Sequence, residues 1–171
     1  MQAGTSGQAQ LGDVIPFDAK DYPRSSLPVI LSSGTCAGAP GTAALRDVLF
    51  SAELVFQGAV RRSPARRRAL MKDWVKAIGD PGAEVKYKEE VSLADSGKIR
   101  WFAVPEALLA FMQMDVQPGD RILIYSVFVG CTAKEPLFAI DEFEQVEQLE
   151  EEAEDILIRL PAGSPRTASS T

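Results

Sequence analysis

Between Arg61 and Lys72 the chain carries six cations, Arg61, Arg62, Arg66, Arg67, Arg68 and Lys72, and two rings suited to stacking, Tyr87 and Trp101, follow them. Clustered cations that neutralise phosphates, together with flat rings that take a base or a sugar, are the residues of an oligonucleotide- or oligosaccharide-binding surface. Two features weigh against that chemistry. The formal net charge is −6, so the field of the whole chain opposes polyanions and anionic membrane surfaces, and no aromatic residue is interleaved within the cluster. A solvated or internally paired patch is the preferred reading. The cations fall near the start of an expected helix, where each works against the macrodipole by about a few tenths of a kcal/mol. A counter-charge is therefore expected: the acidic C-terminal segment, a phosphate-bearing ligand, or water.

The 171-residue chain contains no histidine, which removes the Ser-His-Asp triad, the Cys-His pair and every His-containing zinc site. Carboxylates, lysine, tyrosine and cysteine remain as chemical groups. Glu89-Glu90 and Asp141-Glu142 are adjacent pairs that alternate faces on a strand and make a poor acid-base dyad. Phosphate-binding, dinucleotide and calcium loop motifs are missing, so no catalytic residue, metal or cofactor is assigned. Cys36 and Cys131 are the only cysteines, too far apart in sequence for a local chelate or a redox pair. They either form a disulfide that staples the N-terminal extension to the core, with a contribution of about 4–5 kcal/mol by the chain-entropy model, or stay as two thiols.

The elements that must position these groups start from Pro118-Gly119-Asp120, a turn signal that launches the apolar run from Arg121 to Cys131. Such a run reads as a strand covered on both faces. Before it, Glu84 to Leu93 alternates, with Val85, Tyr87, Val91 and Leu93 on one side. The Asp95-Ser96-Gly97 turn leads into Lys98 to Val104, making a hairpin with one polar face, in which Tyr87 and Trp101 lie near each other on adjacent strands. Trp101 and Phe102 point to opposite faces, one into the core and the other half-buried. Pro105-Glu106 opens a short helix to about Met114, and a last strand runs from Pro136 to about Phe143. Ser63 as N-cap, with Pro64 at the first helical position, starts a helix whose apolar stripe is Leu70, Met71, Trp74, Val75 and Ile78.

The stretch from Thr42 to Arg62 fits either period. Leu45, Val48, Leu49, Ala52 and Phe56 follow helical spacing, whereas Leu54, Phe56 and Val60 alternate; a strand over 52–61 preceded by an irregular or helical turn is preferred. The resulting order is a β-rich α+β fold, a small five-stranded barrel of OB type with helices between strands 1 and 2 and between strands 3 and 4, and a helix at the C-terminus. A four-stranded antiparallel sheet packed by helices is the alternative.

Residues 1–26 read as a flexible lead-in, 27–160 as one globular domain, and 161–171 as a disordered tail. Leu27 to Leu31 is expected as an edge strand or anchor. Val146, Leu149, Ala153, Ile156 and Leu160 define an amphipathic helix with an acidic face, expected to dock on its own barrel. No apolar run approaches the ~20 residues that span a bilayer. The first ten residues do not resemble a leader, so composition favours neither an oxidising compartment nor the cytoplasm. The leading functional expectation is a non-enzymatic module that presents its surface to a protein partner. An oligonucleotide- or oligosaccharide-binding domain, and an enzyme without histidine chemistry, are the alternatives; oligomeric state is left open.

Overall fold

Strand β4, Arg121–Thr132, is buried at every position from Ile122 to Cys131, and the rest of the fold is arranged around its two faces. The computed structural model describes residues 17–32, 36, 41, 43–133 and 135–146, with the backbone alone at 44–47. On the inner face, Ile122, Ile124 and Phe128 join a core with Phe50, Leu54, Phe102, Phe138 and Ile140. Phe138 holds this core together, stacked on Phe102 and edge-on to Phe50 at 5.4 Å between centroids in both cases. On the outer face, Val127 and Val129 lie under a helix, while Leu123 and Tyr125 lie beside Tyr22 and Val146.

The strands are β1 (Ala43–Arg62), β2 (Glu89–Asp95), β3 (Lys98–Val104), β4 and β5 (Glu135–Gln145). They close a barrel in the order β1-β2-β3-β5-β4. All neighbours are antiparallel except β3 and β5, which run parallel and register through Ala103 and Ala139. This is the five-stranded OB-like architecture expected from the element order, with helix α2 (Ala65–Ala77) between β1 and β2 and helix α3 (Glu106–Asp115) between β3 and β4. Leu109 and Met112 of α3, with Val116 after it, pack into the barrel core, as do Leu27 and Ile30 of helix α1 (Leu27–Ser32). A disulfide joins Cys36 to Cys131 at the end of β4, with 5.6 Å between the Cα atoms.

Several local expectations are corrected. Leu27 to Leu31 is helical rather than extended: Leu27 and Ile30, three apart, share the buried face, and Pro28 in the first turn is compatible with a helix. β1 begins at Ala43, not near 52. Phe50, Ala52, Leu54 and Phe56 point inward at period two, while Leu49 packs with α2 on the outside; two covered faces counterfeit a helical spacing. β2 begins at Glu89, because Gly82, with φ of 98°, leads into a 3-10 turn over Ala83–Lys86. Val85 is consequently exposed, and the residue opposite Trp101 is Ser92, not Tyr87. The polar face of the hairpin is not solvated either, since Glu90 and Ser92 are buried. Pro64, not Ser63, occupies the N-cap of α2, and Ile78 is exposed.

β1 serves two neighbours. Its residues 43–55 register with β4 and 55–62 with β2, with an irregularity between Phe56 and Val60. Gly58 sits in that bulge at a φ of +79°. Phe56 exchanges backbone hydrogen bonds with the turn before β4, donating to the Asp120 carbonyl (2.9 Å) and accepting from the Gly119 N–H (2.8 Å).

Residues 17–26, which composition placed in the lead-in, lie along the barrel wall. Ser51 donates its backbone N–H to the Pro23 carbonyl (3.0 Å) and accepts from the Ser25 N–H (2.8 Å). The expected C-terminal helix and tail lie outside the described residues beyond Val146, as does the lead-in before Phe17.

Candidate binding surfaces

The end of β1, the first turn of α2 and the start of β2 converge on one carboxylate. Arg61 and Glu90 are direct partners across the β1–β2 ladder, and Arg67 lies three, four and seven residues before Leu70, Met71 and Trp74, so it continues their buried stripe. Glu90 is fully buried. Its Oε1 accepts from the Ser63 hydroxyl (2.9 Å) and from Arg67 Nε (2.5 Å), and its Oε2 accepts from Arg61 Nε (2.9 Å). A buried charge is tolerable only when paired and hydrogen-bonded, and here both oxygens are.

Arg67 has a second role. Its Nη2 donates to the Trp101 carbonyl on β3 (2.8 Å) and its Nη1 to the Pro136 carbonyl on β5 (3.2 Å). These bonds bridge the two strands whose own register is limited to Ala103 and Ala139. The planar fork of arginine suits this task, and a lysine ammonium could not reach the same three acceptors at once. Arg61 meanwhile lies over the Trp101 ring, 4.2 Å from its centroid, in cation–π geometry.

The expected site residues are thus divided. Arg61, Arg67 and Trp101 are drawn together, and the counter-charge expected from a tail, ligand or water is Glu90. Tyr87 packs under α2 in the second apolar cluster, where burial, followed by Asp141 and Asp80, pushes its phenol well above the ordinary value. Arg62 lines a separate 310 Å³ cleft with Lys86, Lys88, Glu89 and Glu106. Arg66 borders another with Asp73 and Thr132, Arg68 donates to the Ser63 carbonyl, and Lys72 is exposed. Consecutive helical residues point about 100° apart, which disperses a cluster that is dense in sequence.

A second surface went unread in the sequence. Pro105, Ala107, Leu108 and Phe111, together with Phe143 of β5, line a 460 Å³ groove rimmed by Asp115, Asp141 and Glu142. Phe111 and Met114 are 55% and 66% exposed. The signal was present: Ala107, Phe111 and Met114 fall at i, i+4 and i+7, a second apolar stripe beside Leu109 and Met112, on a helix too apolar for one buried face.

Around the other side of β5, Asp141 accepts from the Tyr22 hydroxyl (2.8 Å). Tyr22, Phe17 and Tyr125 form a triangle of rings with centroids 5.0–5.7 Å apart. Burial, then a hydrogen bond with Glu144, pushes the Tyr125 phenol up to about 12.

Among the described residues no group of three or more His, Cys, Asp or Glu is placed to hold a metal ion, and no helix is long and apolar enough to cross a membrane. No protein-family profile matches the chain, and no curated protein matches it in sequence.

Proposed function

We propose that this OB-like barrel is a non-catalytic binding module and that its partner is a protein, taken at the groove between α3 and β5. The observation that carries the reading is the exposed apolar face of α3, where Phe111 and Met114 stand more than half in solvent beside a groove floored by Leu108 and Phe143. Contiguous exposed apolar surface with a polar rim is the usual mark of a protein interface. The surface that would stack nucleic acid is occupied by the chain itself, with Arg61 on the Trp101 ring and its charge committed to Glu90.

A second reading rests on Arg62, Lys86 and Lys88, whose cleft faces solvent: an oligoanion, nucleic acid or acidic oligosaccharide, held by charge alone. A photo-crosslinking residue at position 111, with one at the equally exposed Ile99 as control, separates the two. The expected result is a discrete polypeptide adduct in cells from position 111 and none from 99, with no oligonucleotide binding at low salt. Oligonucleotide binding that is lost on replacing Arg62, Lys86 and Lys88 by alanine, with no adduct at 111, would overturn the protein reading.

A further inference from the structure

The groove has a backbone wall as well as an apolar floor. Between Glu142 and Gln145, β5 registers with β4, whereas among the described residues its register with β3 is limited to Ala139. In an antiparallel ladder each residue turns its N–H and C=O either toward its partner or away from it. Phe143, which faces Ile124 of β4, donates its N–H to the carboxylate of its own neighbour, Glu142, at 3.0 Å. That bond marks Phe143 as a position whose backbone turns to the open side. A side chain stands in where the next strand of a sheet would supply a carbonyl.

The open edge ends in a fixed frame. Gln145 Nε2 donates to the Asp115 carbonyl at the end of α3, tying the far end of the edge to the helix. The four residues 142–145, at about 3.3 Å per residue, present about 13 Å of edge. Facing it across the groove are Leu108 and Phe111, and around it stand Asp115 and Glu142.

Resting on the reading of this groove as a protein-binding site, we infer that the partner enters as an extended segment that adds to the edge of β5, with alternate apolar residues toward Leu108 and Phe111 and lysine or arginine toward the acidic rim. Strand addition supplies affinity through backbone hydrogen bonds and specificity through the side chains that alternate into pockets. The incoming carbonyl replaces the Glu142 carboxylate on the Phe143 N–H and frees that carboxylate for a cation.

The test uses the full chain and three labelled octapeptides: alternating valine and lysine, alternating valine and glutamate, and the valine-lysine peptide N-methylated at alternate residues. Fluorescence anisotropy is expected to show the valine-lysine peptide bound more tightly than the other two by at least about tenfold, equivalent to about 1.4 kcal/mol. Phe111→Lys, a change at an exposed position that removes the apolar contact and sets a like charge against the peptide lysines, is expected to remove that preference. Equal binding of the N-methylated peptide would overturn strand addition even where the position-111 crosslink succeeds, whereas failure of the crosslink removes the protein reading itself. Binding unaffected by Phe111→Lys, or a concentration-dependent doubling of the protein's own mass in place of peptide binding, would also overturn the inference.

Discussion

Arg67 Nε lies 2.5 Å from Oε1 of Glu90, and both side chains are almost wholly withdrawn from solvent. The pair joins α2 to β2, and the remaining donors of the guanidinium go to backbone carbonyls of β3 and β5. A cation that arrived in the sequence as one of six in a surface-like cluster is the fastener between the inserted helix and the barrel seam.

Removing one partner of such a pair leaves the other charged and buried, at a cost of about 3–5 kcal/mol. Glu90→Ala is expected to lower the unfolding free energy by that amount in urea titrations. The double replacement Glu90→Leu with Arg67→Met is expected to recover much of the loss, because it leaves no uncompensated charge.

A Cβ placed on Gly58 would lie 2.6 Å from Pro118 Cγ, whereas one on Gly97 meets nothing within 4 Å; both glycines have φ near +80°. Gly97→Ala therefore measures left-handed strain alone, about 1–2 kcal/mol. Gly58→Ala adds a clash against a rigid ring and is expected to cost about 1–3 kcal/mol more, read as a lower urea midpoint for Gly58→Ala than for Gly97→Ala.

The Cys36–Cys131 bond spans 95 positions. A thiol assay on denatured, unreduced protein is expected to find no free thiol. Replacing both cysteines by serine is expected to reduce stability by about 2–4 kcal/mol.

Tyr125 has its phenol raised from 10.0 to about 12, so the folded state holds that proton more tightly than the unfolded chain does. The associated stability is fully present below pH 10 and declines as pH rises from 10 through 12. Tyr22, raised by burial and by Asp141, acts in the same direction. Tyr125→Phe is expected to flatten the fall, as followed by denaturant midpoints across that range.

What could be read in advance follows from how each face is covered. The β4 run declared itself because both faces are apolar, and the order of strands and helices around it led to the barrel. The same double coverage misled at β1, where outer residues such as Leu49 filled the gaps in an alternating pattern. The start of β2 was lost because three alternating residues cannot distinguish a strand from a 3-10 turn. Arg67 was legible by its spacing from Leu70, Met71 and Trp74, but its charge assigned it to solvent. Glu90 was invisible for the same reason: only the paired geometry of β1 and β2 puts a guanidinium opposite it. The α3 groove needed its second apolar stripe to be counted.

Because one continuous strand, β1, hydrogen-bonds β4 along its first part and β2 along its last, the barrel's two walls share a chain segment. Along β1 neither wall has an edge of its own from which to fray. Loss of register at the Gly58 bulge is felt by both ladders, and the domain is expected to melt in a single cooperative step. Long-range pairing of this kind also places most of the loop-closure entropy before the first rewarding contacts, which makes folding slow relative to a helical chain of the same length.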